Sequence, residues 1–151
     1  MTILSINKLL SKELKDLELQ LKARSETKVQ MINMLSDHII SSGGKRLRPI
    51  VLILSAYASD SNTREKLIDA SVVVEFIHAA TLLHDDVVDE SGQRRGRATA
   101  NLLWDNKSSI LVGDYLFSKA FELMVETRSL EFLKTLAFAY NKITELSLIH
   151  I

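Results

Sequence analysis

The chain has 151 residues, 46% of them hydrophobic, and its 19 basic side chains balance its 19 acidic ones, so the formal net charge is zero. That balance excludes a protein built to grip a bulk polyanion such as nucleic acid. One proline, five glycines and no cysteine suit a single helical domain without disulfides, in a reducing, cytoplasmic setting.

Helical periodicity predicts six segments, near 6–24, 27–41, 49–59, 63–90, 106–127 and 129–148, and no strand pattern passes a length test. The first segment is amphipathic through Leu10, Leu14, Leu17 and Leu21. Acids among its bases argue against a signal or transit peptide, and its apolar stripe is expected to pack on a bundle or a second subunit. No apolar run is expected to span a bilayer, so no transmembrane segment is predicted.

Between the second and third segments lies Gly43-Gly44-Lys45-Arg46-Leu47-Arg48-Pro49. The glycines end one helix and Pro49 suits the first turn of the next. Its basic residues therefore sit near a helix N-terminus, where backbone N–H groups favour anions. A solvent-exposed basic loop is the plainer reading of that stretch taken alone.

The fourth segment runs without proline or glycine from Thr63 to Ser91, and it should end at Ser91-Gly92. Asp85 and Asp89 are i and i+4 and share a face, while Asp86 sits about 100° round the helix. With Glu90 they make four carboxylates, followed within one loop by Arg94, Arg95 and Arg97. Clustered carboxylates are costly unless a hard cation neutralises them, and Mg²⁺ takes oxygen ligands while keeping some waters and substrate phosphates. Arginines beside such an ion suit bidentate capture of phosphate oxygens. A solvated acidic helix end is the bland alternative. Against it stand Ala79, Ala80, Leu82, Leu83, Val87 and Val88, which make this one of the most apolar helices in the chain. His78, seven residues before Asp85, shares its face and is either a satisfied core histidine or part of the site. Ala80 and Thr81, one turn behind Asp85, are both small. In the fifth segment Ile110, Val112, Tyr115, Leu116 and Phe121 read as core, and Gly113 as a close helix contact. Trp104, with Leu102 and Leu103, is expected to cover the motif loop.

Asp85-Asp86-Val87-Val88-Asp89 followed by Arg94-Arg95, with the Gly-Gly-Lys-Arg-Leu-Arg-Pro loop upstream, resembles the N-terminal half of a trans (all-E) polyprenyl diphosphate synthase. Glu75-Phe76-Ile77-His78, the run from Arg95 to Asn101 and Val112-Gly113-Asp114-Tyr115-Leu116 fit as well, and the likeness is greatest to the octaprenyl-type, long-chain branch. The resemblance implies the N-terminal half of an all-α, isoprenoid-synthase-type bundle. It implies that Asp85, Asp86 and Asp89 bind Mg²⁺, and that Arg94 holds the allylic diphosphate. Lys45, Arg48, His78 and Arg95 match the residues that hold isopentenyl diphosphate. Bulky aromatics at the positions of Ala80 and Thr81 stop chain growth in the family, so the small residues here imply a long product; close helix packing is the other use for them.

The likeness stops after Lys142-Ile143-Thr144-Glu145, and family members are roughly twice as long. Their second half supplies a second aspartate-rich motif that completes the metal and diphosphate site. The expectation is therefore a partial domain over residues 1–151, ended by a frameshift, an early stop or a split gene. It would associate as a homo-oligomer or with a missing C-terminal half, since half a bundle leaves apolar faces uncovered. Two other functions compete. One is a non-catalytic fragment or subunit of such a synthase. The other, prompted by His78 and the His84-Asp85 pair, is an HD-type metal phosphohydrolase, which would need a further upstream histidine; His38 is the sole candidate.

Overall fold

A computed structural model describes residues 3–42, 44–59 and 64–149; Gly43 and the terminal His150-Ile151 lie outside them. The chain folds as α1 (Ile3–Leu9), α2 (Ser11–Ser25), α3 (Gln30–Ile40), α4 (Leu47–Ala58), α5 (Arg64–Val88), β1 (Gln93–Arg94), β2 (Arg97–Ala98), α6 (Ala100–Leu103), α7 (Asn106–Glu126) and α8 (Leu130–Ile149). The all-α expectation holds, and five of the six expected segments reappear as α3, α4, α5, α7 and α8.

The first segment divides at Leu10, whose ψ of 19° departs from the helical value. The hydrogen bonds Leu10 N to Ile6 O and Leu14 N to Leu10 O, both 2.9 Å, carry across the break, so it is a bend. Leu10 is buried there against Ile50, Ile53 and Leu67, which lets α1 and α2 follow the surface of α4 and α5. The amphipathic stripe thus packs on the bundle, as expected.

α5 is the central helix. It packs chiefly on α7 and also on α4 and α2, while α8 meets the bundle mainly through α7. Val72, Val73, Phe76 and Leu83 of α5 meet Leu17 and Leu21 of α2, Leu35 of α3, and Val112, Leu116 and Leu123 of α7 in one core. A helix covered on several sides reads apolar all round. For that reason Lys66–Val88 has the length and mean hydropathy, 1.5, of a membrane span by composition, contrary to the expectation that no run would.

Two further expectations are corrected. Ile110 and Phe121 are exposed, because they point away from the α5–α7 contact that buries Val112 and Leu116. A two-stranded antiparallel hairpin exists, pairing Gln93 with Ala98 and Arg94 with Arg97. Strands of two residues carry no period to read. Its turn is Arg95-Gly96, with φ of 52° and 76°, the two positive values that a tight type I′ hairpin needs.

α5 also ends before Gly92. Glu90 takes the left-handed conformation (φ 50°), Ser91 N donates to Asp86 O at 2.9 Å and Glu90 N to Val87 O at 3.3 Å. This is a Schellman-type end with glutamate where glycine is usual.

Gly113 is the close helix contact expected of it. A Cβ there would lie 2.6 Å from His84 Cδ2, and the ring is held in place by a 3.0 Å bond between Nε2 and the Ile110 carbonyl. Gly113→Val should therefore destabilise the fold by about 1–3 kcal/mol through overpacking. Urea denaturation would show a lower midpoint, and an unchanged midpoint would contradict the notch.

Candidate functional site

Four of the expected anion-binding residues converge. Lys45, Arg48, His78 and Arg95 line one cavity of about 260 Å³, floored by Ala79 and Leu82 of α5. The basic loop supplies the first two. It is held down by Arg46, which has φ 49° and caps α4 from the left-handed region. Arg46 Nη1 donates to Glu75 at 2.9 Å, Nε and Nη2 donate to Glu18 at 2.6 and 3.1 Å, and Nη2 also reaches the Ile40 carbonyl at 2.9 Å. One arginine thus ties the loop to α2, α3 and α5. Burial raises the Glu75 carboxyl above its usual range, although Arg46 and Arg48 pull it the other way. With Arg46 committed to these carboxylates, Lys45 and Arg48 are the loop's cations left at the cavity. The sequence groups Arg46 with Lys45 and Arg48 as anion-facing, and it is instead taken up by carboxylates. No role was expected for Glu75, for which a lone acid inside an apolar helix was the available signal.

Arg95 arrives from the hairpin turn, and its left-handed backbone costs roughly 1–2 kcal/mol in a residue with a Cβ. The hairpin is fastened by Thr99 Oγ1 to the Ser91 carbonyl (2.6 Å), by Asn101 Nδ2 to the Asp86 carbonyl (3.2 Å) and by His38 Nε2 with the Ala98 carbonyl (2.9 Å). Trp104 packs edge-on against His38, with ring centroids 5.4 Å apart, so it supports the hairpin's far side. His38 and His84 are both committed to main-chain carbonyls, which leaves the phosphohydrolase reading without its second histidine.

His78 is half-buried among this charge. Desolvation first, then Arg48, Arg95, Arg94 and Arg46, lower its pKa to about 4, so the ring is neutral at pH 7.

A second cavity of about 520 Å³ shares Arg48, His78 and Leu82 with the first and contains Thr81, His84 and Asp85. Asp85 is exposed on α5 and Asp89 lies just past the helix, its N–H donating to the Asp85 carbonyl at 2.8 Å. Neither carboxylate has a side-chain partner among the described residues. Partial burial, then the neighbouring Asp89 carboxylate, raises the Asp85 pKa, with Asp86 adding to the rise and Arg94 opposing it. Oxygen donors short of positive charge fit a hard cation. Among the described residues, however, no three His, Asp or Glu side chains converge on one point. The structure sets Asp86 apart from the other two: it is 1% exposed and paired with Arg94, Nη2 to Oδ1 at 2.7 Å and Nε to Oδ1 at 3.0 Å. Ala80 is also set apart from Thr81, being fully buried between helices while Thr81 lines the cavity.

The Polyprenyl synthetase family profile matches residues 29–149. The octaprenyl diphosphate synthase of Escherichia coli is 41% identical over 145 residues, covering 96% of this chain and 45% of that protein. A decaprenyl diphosphate synthase structure from Rhodobacter capsulatus superposes with a TM-score of 0.91 at 43% identity, over 97% of this chain and 45% of that one. A polyprenyl synthase from Caulobacter crescentus, solved with calcium and isoprenyl diphosphate, gives 0.93 at 40% identity, over 97% and 44%. The chain spans a little under half the length of these relatives.

The His78 shift fixes a pH dependence. Its folded pKa of about 4 lies below the unfolded value of 6.5, so only the unfolded chain takes up the proton between them. The stability from burying a neutral ring is complete above about pH 6.5 and is lost as pH falls toward 4. Urea midpoints measured near neutrality and near pH 5 should fall less in His78→Gln than in the wild type, and equal falls would refute the assignment.

Proposed function

The chain belongs to the polyprenyl synthetase family, and from that premise we propose that it carries the substrate-binding part of an octaprenyl-type polyprenyl diphosphate synthase site. The observation that carries this reading is the convergence of Lys45, Arg48, His78 and Arg95 on one cavity that shares a wall with the cavity containing Asp85. In the proposed roles, Lys45, Arg48 and Arg95 bind the diphosphate of isopentenyl diphosphate. Neutral His78 can donate a hydrogen bond to it without adding charge. Arg94 takes the diphosphate of the allylic substrate. Asp85 and Asp89 would hold Mg²⁺, which would neutralise charge developing on the departing diphosphate. The allylic carbon–oxygen bond breaks to give a cation, the isopentenyl double bond attacks it, and the released diphosphate takes the proton that is lost. Fixed cations aimed at a leaving group in this way lower the barrier to its departure.

Small Thr81 in the cavity wall supports a long product, because no bulky side chain stands there in the path of a growing chain. Exposed Phe121, Val125, Phe138 and Leu146 on α7 and α8 support association, as a homo-oligomer or with the part of the fold that the relatives carry beyond the matched region. The setting is cytoplasmic, where charged diphosphates stay in water. That exposed apolar face favours a second reading, a non-catalytic subunit that binds substrate without turning it over.

The test supplies the purified chain with labelled isopentenyl diphosphate, farnesyl diphosphate and Mg²⁺ and sizes the extracted products. Long-chain product would support the synthase reading, and Asp85→Ala should then lower its formation by about two orders of magnitude or more. Lys45→Ala should weaken isopentenyl diphosphate more than farnesyl diphosphate. Mg²⁺-dependent binding without product would favour the subunit; neither binding nor product would end the family reading of the site.

A further inference from the structure

Resting on the proposed function and adding a residue to it, we infer that His38 is the positioning residue of Arg95: from the last turn of α3 it sets where the hairpin tip stands against the basic loop. The two loops that supply the cavity's cations meet at that end of α3. The last carbonyls of a helix have no partner within it, and they attract cations. Here Ile40 O accepts from Arg46 Nη2 of the basic loop at 2.9 Å, and Ser41 O accepts from Arg97 Nη1 of the hairpin at 3.2 Å. His38 bonds in the opposite sense, its Nε2 donating to the Ala98 carbonyl at 2.9 Å. Strand register explains why that carbonyl is open. Arg94 and Arg97 close the turn and Thr99 N bonds Gly92 O at 3.2 Å, so Gln93 and Ala98 between them are the non-hydrogen-bonded pair. Ala98 therefore turns its carbonyl away from β1. A carbonyl only accepts, so His38 carries a proton on Nε2, and edge-on Trp104 backs the ring.

The hairpin's other side-chain bonds among the described residues run to the end of α5. Thr99 reaches the Ser91 carbonyl, Asn101 the Asp86 carbonyl and Arg94 the Asp86 carboxylate. Attachment along one edge alone leaves a pivot, and His38, with the exposed Arg97 bond beside it, closes that pivot from the far edge. The two neighbouring arginines thus depend on different supports. Arg94 is anchored to α5 whatever α3 does. Arg95 makes no side-chain hydrogen bond among the described residues, and its Nη1 lies 3.5 Å from where a Cβ on Gly44 would stand. Its guanidinium runs beside the residue that precedes Lys45, so a pivot of the hairpin changes the gap between Arg95 and Lys45. A diphosphate bridging those cations senses that gap, whereas one held by Arg94 does not.

The experiment measures isopentenyl diphosphate and farnesyl diphosphate binding separately, by calorimetry in Mg²⁺. His38→Leu should weaken isopentenyl diphosphate roughly fivefold to tenfold and leave farnesyl diphosphate within about twofold. His38→Gln, which keeps a donor at similar reach, should restore most of the loss. In an Arg95→Gln background, His38→Leu should cost no further affinity, a non-additivity that general loosening of the fold would not give. On the wild type alone, nitrogen NMR spectra at about pH 8 should show His38 as the Nε2–H tautomer with isopentenyl diphosphate bound. The Nδ1–H tautomer, unchanged binding in His38→Leu, equal losses for the two diphosphates, or additive losses with Arg95→Gln would each overturn the inference and leave the proposed function standing. A wild-type chain that bound neither diphosphate would overturn both.

Discussion

A buried carboxylate must be paired, and the two that α5 buries dictate where the basic loop and the hairpin go. Glu75 and Asp86 are the buried acids among the described residues, and each is met by an arginine from a different loop: Arg46 of the basic loop and Arg94 of the hairpin. They are eleven residues apart, which returns to the same side of the helix within about 20° and separates them by about 16 Å. His78, Ala79 and Leu82 lie on that stripe between them, and they line the cavity that Lys45, Arg48 and Arg95 complete. The cavity is thus suspended between two ion pairs. Such pairs add little net stability over apolar substitutes, yet breaking either one leaves an uncompensated charge.

The backbone strain in the molecule follows the same stripe. Four described non-glycine residues have positive φ, and three of them, Arg46, Glu90 and Arg95, flank this site. Each sits where a loop must turn sharply to meet α5. Left-handed backbone in residues with a Cβ persists where surrounding contacts over-determine it, and it gathers at binding sites for that reason. Arg46 has four side-chain hydrogen bonds to hold it, while Glu90 has the paired bonds of the helix end. Arg95 has only its turn. Of the three, it is the one left free to respond to an anion.

The helices were legible because apolar periodicity survives in each segment long enough to show it, whereas Lys45, Arg48, His78 and Arg95 were grouped only by the family resemblance. What escaped depended on partners remote in sequence. Arg46 finds Glu75 across 29 residues, and nothing local marks that arginine as different from Lys45 or Arg48 beside it. Asp86 could be placed 100° from Asp85, but which of the two would be buried depended on a hairpin of two-residue strands. The end of α5 was misplaced because glycine is the usual terminator, and here glutamate took the left-handed position two residues earlier. Ile110 and Phe121 read as core from their composition. Periodicity shows that a helix has an apolar face, and it does not show whether anything covers that face.

That uncovered face is continuous with the site. The cavity holding Asp85 shares Ile77, Leu136, Tyr140 and Thr144 with a groove of about 400 Å³ between α5, α7 and α8, walled by Phe117, Met124 and Leu133. Moving from the basic loop toward α8, the lining passes from arginines and lysine, through His78 and Thr81, to aromatic and aliphatic side chains. One end is stiffened by buried ion pairs; the other is bounded by α8, which touches the bundle mainly through α7. An amphiphile with a charged head and a hydrocarbon tail matches that gradient in both polarity and stiffness. Its head would meet fixed charges whose geometry matters, and its tail would meet apolar surface, where contact area matters more than position.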